Sequence, residues 1–96
     1  MKPSEMLPAR RELICRVVEA HAARNPRVFG SVLHGNDREG SDLDILVDDT
    51  PRLSLMQLAR METILAQRLG FKVDVVTPED LPPSFRARVL AEAQPI

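Results

Sequence analysis

Gly30-Ser31-Val32-Leu33-His34-Gly35, followed by Gly40-Ser41-Asp42-Leu43-Asp44-Ile45-Leu46-Val47, is the decisive stretch of this 96-residue chain. Asp42 to Val47 alternates acidic and apolar residues before turning wholly apolar. That pattern predicts a strand buried on at least one face. Residues two apart on a strand share a face, so Asp42 and Asp44 project together, with Cα atoms roughly 6.7 Å apart. Leu43, Ile45 and Val47 point the other way, into a core. Two carboxylates so placed can converge on one or two hard cations. Mg²⁺ takes oxygen ligands at about 2.1 Å and usually keeps waters and phosphate oxygens in its shell. Two such ions about 3.5–4 Å apart can serve the attacking and the leaving oxygen of a phosphoryl transfer. Gly30-Ser31 stands eleven residues before the pair. A glycine at a strand end lets backbone approach a ligand closely. N–H groups at the start of a short helix over 31–34, with a serine hydroxyl beside them, suit phosphate. Alone, Gly-Ser is usually only a turn.

Working outward, Phe71-Lys72-Val73-Asp74-Val75-Val76 reads as another strand, with Asp74 in the middle of an apolar run. An unpaired carboxylate there is costly to bury. If the two strands are neighbours, about 4.8 Å apart, Asp74 faces the same pocket as Asp42 and Asp44. The plainer reading puts Asp74 on a solvated sheet face beside Lys72. Taken alone the two readings are evenly matched, and the Asp pair tips the balance to a metal pocket.

The flanking segments supply the scaffold. Pro8 opens a helix to about Arg24, with Leu13, Ile14, Val17, Val18 and His21 on one face, and Asn25-Pro26 ends it. Arg27 to Phe29 is a short strand leading into Gly30. His34 to Ser41 is a polar loop. Asp48 and Asp49 are turn residues, too far along the strand to join the Asp pair. Ser54 caps a helix through about Arg68, with Leu58, Met61, Leu65 and Leu69 on its inner face, and Gly70 stops it. A final helix runs from about Pro83 to Ala93, with Phe85 and Val89 facing in and the tail packing on its own sheet. The result is an α/β (α+β) sheet domain with helices packed on it. Strand order and direction stay open.

Composition narrows the possibilities. Ninety-six residues suit one small domain spanning 1–96, which is marginal on burial alone and gains from a partner. With three Phe and no Trp or Tyr, the core must be aliphatic. A net charge of −1 argues against nucleic-acid binding through a large basic surface. The single Cys15 forms no internal disulfide and fits a reducing compartment. No apolar run approaches the ~20 residues of a membrane span, and no signal-peptide core is present, so a cytoplasmic protein is expected. Cys15 and His21 read as helix residues at or near the core. Arg38, Arg52 and Lys72 read as solvated surface that could steer a nucleotide.

Gly30-Ser31, the spacer Gly35, Asp42-Leu43-Asp44 and the later Asp74 together resemble the DNA polymerase beta superfamily of nucleotidyltransferases. Ser41-Asp42-Leu43-Asp44 and the small size look most like its minimal nucleotidyltransferases, the MNT domains of MntA-like antitoxins. The likeness runs from about Arg27 to Thr77. It implies a small nucleotidyltransferase fold, with a short mixed sheet of about three or more strands. It also implies metal-dependent transfer of AMP from ATP with release of pyrophosphate. Many MNT proteins are antitoxins encoded beside a HEPN-domain toxin, and are thought to adenylylate a toxin tyrosine. Carried over, Asp42 and Asp44 bind Mg²⁺, in all two ions. Asp74 binds metal and helps activate the attacking hydroxyl, and Gly30 and Ser31 hold the triphosphate. Where the family often has Arg before the spacer glycine, this chain has His34, a weaker phosphate clamp when neutral. The expectation is therefore an adenylyltransferase antitoxin in a hetero-oligomer with a HEPN toxin, without direct contact to nucleic acid. The alternative is an antitoxin that neutralises its partner by binding alone. Transfer to a small-molecule alcohol is a third reading, disfavoured because little chain is left to build an acceptor pocket.

Overall fold

The computed structural model describes residues 1–96. In chain order the elements are α1 (Pro3–Ala20), β1 (Arg24–Phe29), β2 (Leu43–Asp48), α2 (Leu55–Leu69), β3 (Val73–Val76), a 3₁₀ turn (Pro78–Asp80), α3 (Pro83–Glu92) and β4 (Gln94–Pro95). The four strands form one mixed sheet in the order β3-β2-β1-β4. β2 and β3 run parallel, as expected for strands joined through a helix. β1 is antiparallel to both β2 and β4.

Two-residue periodicity divides the sheet into two unlike faces. Leu43, Ile45 and Val47 of β2, with Val73 and Val75 of β3, enter the main core beside Ile14 and Val18 of α1 and Met61, Leu65 and Leu69 of α2. On the opposite face, Leu46 meets Leu81 and Val89, with Phe29 and Val76 at its margin. By the same alternation Asp42, Asp44 and Asp74 share that second face. Leu46 and the cover from the 3₁₀ turn and α3 lie at one end of it, and the carboxylates lie at the other.

Several boundaries differ from the sequence reading. α1 begins at Pro3, five residues before Pro8, which lies inside the helix. Pro3 takes the first helical position, where a missing N–H costs nothing. The Lys2 N–H donates to Glu5 Oε1 at 3.0 Å, and the Ser4 N–H donates to Asp37 Oδ2 at 2.8 Å. These bonds anchor a first turn that Pro8 alone does not define. The helix stops at Ala20, not Arg24. Ala22 and Asn25 take left-handed backbone, and Asn25-Pro26 belongs to β1 at an irregularity in its pairing with β2. Asp48 is the last residue of β2, paired with Arg24 in the ladder and salt-bridged to Arg27, and is not a turn residue. Phe85 is 37% exposed and does not face inward. The chain end forms β4 against β1, where the Ile96 N–H donates to Pro26 O at 3.0 Å. α2 follows expectation: Ser54 Oγ accepts from the Gln57 N–H, and Gly70 closes the helix with φ of 86°. No helix is long and apolar enough to cross a membrane.

Candidate active site

The parallel register of β2 and β3 sets Leu43 against Val73 and Asp44 against Asp74. One residue earlier, the Leu43 N–H donates to Lys72 O at 2.9 Å, which carries the alignment back to Asp42 and Lys72. The sheet therefore presents two rows on one face, Asp42 beside Lys72 and Asp44 beside Asp74. Lys72 Nζ stands 3.8 Å from Asp42 Oδ2 and 3.8 Å from Asp74 Oδ1. Both sequence readings of Asp74 are thus partly met: it joins the Asp pair, and it also has Lys72 for a neighbour.

Asp44 is the innermost member. Burial, followed by the charges of Asp74 and Asp42, pushes its carboxyl up to about 6, with the Lys72 ammonium opposing. A cation placed among these groups would offset both causes. The donor set is entirely carboxylate oxygen, which suits a hard divalent ion. The side chains are not closed around one point, however: no three His, Cys, Asp or Glu groups are gathered tightly enough to hold an ion as they stand. The chemistry of the face fits a divalent cation, and holding one with all three carboxylates requires side-chain movement there.

Gly30 lies directly against this face. It follows Phe29, the ladder partner of Asp44, and has φ of 75°. A Cβ at Gly30 would overlap Asp44 Oδ2. Only glycine leaves the carboxylate its place. After Gly30 the expected short helix over 31–34 does not form. The His34 N–H reaches Gly30 O, the Gly35 N–H reaches Val32 O, and the Asn36 N–H reaches Ser31 O. Gly35, at φ of 71°, breaks the run, leaving a series of turns with no helix start to aim at phosphate.

The His34 imidazole has an acidic side chain as its partner. Its Nε2 lies 3.1 Å from Glu92 Oε2, at the end of α3. Asp37 was only part of a polar loop in the sequence, yet it is buried and ties that loop to the start of α1. No local pattern marks it, because its partner is 33 residues away. Lys72 is legible as a neighbour of Asp74, with which it shares strand parity, but its contact with Asp42 depends on the pairing of β2 and β3. His21 keeps its Nδ1 2.7 Å from Val17 O, a local helix contact.

Residues 19–96 match the family described as Polymerase beta, Nucleotidyltransferase. This chain belongs to that family. The matched span contains positions Gly30, Ser31, Asp42, Asp44 and Asp74. Protein adenylyltransferase MntA of Thermococcus cleftensis is 38% identical over 74 residues, covering 77% of this chain and 75% of that protein. A solved structure described as a "putative minimal nucleotidyltransferase" has a TM-score of 0.85 and 43% identity, covering 97% of this chain and 95% of its own. The crystal structure of a toxin-antitoxin with AMP-PNP has a TM-score of 0.75, covering 88% of this chain and 70% of that one. At 21% identity, that likeness speaks for the fold alone. The family fold and its mixed sheet are those expected from the sequence motifs.

Proposed function

We propose that this chain is a metal-dependent protein adenylyltransferase that moves AMP from ATP to a tyrosine hydroxyl of a HEPN-type toxin. In this reading residues 1–96 act as one minimal nucleotidyltransferase domain, an antitoxin working in the cytoplasm as a hetero-oligomer with its toxin. The observation that carries it is the row of Asp44 and Asp74 in register, with Asp42 on the same face and Gly30 against Asp44. The name of the Thermococcus relative supports a protein as the acceptor, and the description of the AMP-PNP structure as a toxin-antitoxin is the ground for making that protein a toxin.

Asp42 and Asp44 would hold two Mg²⁺ ions, with Asp74 as a further ligand. The ions, when bound, neutralise charge on the phosphates and on the departing pyrophosphate. The Gly30-Ser31 turn brings backbone and a hydroxyl to the triphosphate. Asp74, across the strand pair, accepts the proton of the attacking hydroxyl as its oxygen bonds to the α-phosphorus and the α–β phosphoanhydride breaks. Positioning supplies the remainder of the rate enhancement.

The test is to incubate the purified chain and its partner with Mg²⁺ and ATP labelled at the α-phosphate. Label should appear on a toxin tyrosine and vanish with Asp42→Asn/Asp44→Asn, and toxicity should return in cells. An unlabelled toxin that is still neutralised by the double variant would favour the second reading, inhibition by binding alone. The position of Lys72 between two of the carboxylates and the engagement of His34 with Glu92 are the observations on that side.

A further inference from the structure

We infer that Lys72 is an internal competitor for the divalent cation: its ammonium and the ion claim the same space between Asp42 and Asp74. The inference rests on the proposal that this face binds metal. Lys72 Nζ is equidistant from the two carboxylates, at 3.8 Å from each. Direct ammonium–carboxylate hydrogen bonds are about 2.7–2.9 Å long. Lys72 therefore spans the gap without being locked to either side. A Mg²⁺ ion bound to the same oxygens would sit about 2.1 Å from them. Ammonium and dication cannot share that space, because like charges a few ångströms apart repel.

The position of Lys72 lets it leave. It precedes β3, its side chain is 69% exposed, and the four-carbon stem is flexible. Its backbone remains fixed by the Leu43 N–H, so the ammonium can swing while the strand alignment holds. Once displaced, it remains tethered beside the carboxylates, within reach of an incoming polyphosphate. Lys72 should accordingly weaken metal binding to the free protein and weaken it less when nucleotide is present.

Mn²⁺ binding, followed by calorimetry and by electron paramagnetic resonance of the free ion, tests this without measuring activity. The full chain is compared with Lys72→Met, Lys72→Arg and, as a distant charge control, Arg52→Met, each with and without a non-hydrolysable ATP analogue. Without nucleotide, Lys72→Met should bind Mn²⁺ roughly fivefold more tightly or better, a modest coupling between two competing cations. Lys72→Arg and Arg52→Met should stay near the parent value, and the analogue should shrink the Lys72→Met gain. Unchanged or weaker Mn²⁺ binding by Lys72→Met, with normal binding by the parent, overturns the competition alone. Absence of Mn²⁺ binding in both overturns the metal-site proposal and this inference with it. Thermal melts of each variant separate these results from loss of fold.

Discussion

Asp44 and Asp74 are direct partners across the parallel pair β2 and β3, with like charges facing each other in register. Opposed like charges destabilise a sheet. Burial first, and then the charges of Asp74 and Asp42, raise the Asp44 carboxyl to about 6 from an ordinary value of 3.8. A fold that keeps two carboxylates in such a row gives up stability that a bound cation can return.

The first prediction concerns pH. The folded state holds the Asp44 proton more tightly than the unfolded state. Its contribution to stability is therefore fully present below about pH 3.8 and is lost as pH rises through about 6. In EDTA, thermal melts from pH 4 to 8 should show the parent falling relative to Asp44→Asn across that window. Asp44→Asn should be the more stable of the two at pH 7.5. Mg²⁺ should raise the parent's Tm and leave the variant's almost unmoved. Parallel melting curves across the pH range would remove Asp44 as the source.

The second concerns Asp74. Asp74→Asn should reduce AMP transfer by about 100-fold or more, a loss typical of removing a positioned general base. It should not lower Tm, because it relieves repulsion at Asp44. Initial rates and a melt on the same preparation check both halves. Retention of more than a third of the activity would exclude Asp74 from the chemistry.

Gly30 and Gly35 offer a third, contrasting pair. Both have positive φ, so Ala at either should cost about 1–2 kcal/mol in backbone strain. Only at Gly30 does the added Cβ overlap the Asp44 carboxylate; at Gly35 nothing lies within 4 Å. Urea unfolding should show a loss for Gly30→Ala at least as large as that for Gly35→Ala, with the greater loss of transfer activity at Gly30→Ala. Equal activities would mean that Asp44 tolerates displacement.

Asp37 provides the fourth. Burial alone would raise its carboxyl, but hydrogen bonds from Ser4 and from its own backbone, with the charge of Lys2, together bring it below the usual range. Its Oδ2 accepts from the Ser4 N–H as a helix cap supplied from a distant loop, while Oδ1 has no partner. Asp37→Ala should cost about 1 kcal/mol, the ordinary value of a lost cap. This stabilisation is present above about pH 3.8 and lost as pH falls, so the gap between parent and variant in urea melts at pH 7 should narrow in acid.

Local pattern alone determined the central elements and the carboxylates they carry. The strand at Asp42–Val47, the helix between Ser54 and Gly70, and a strand within Phe71–Val76, observed over Val73–Val76, follow from periodicity and caps, which act over a few residues. The shared face of Asp42 and Asp44 follows from the period of a strand. Tertiary structure decided what depends on partners remote in the chain. The parallel pairing that brings Asp74 to Asp44, and Lys72 to the gap beside it, depends on β2 and β3 meeting across α2. The early start of α1 depends on Asp37, the turn of His34 depends on Glu92, and β4 depends on the free edge of β1. Each of these contacts joins groups far apart in sequence, where packing and hydrogen bonding outweigh local preference. The carboxylates were therefore legible as residues, while the cation standing between them emerged only from the folded sheet.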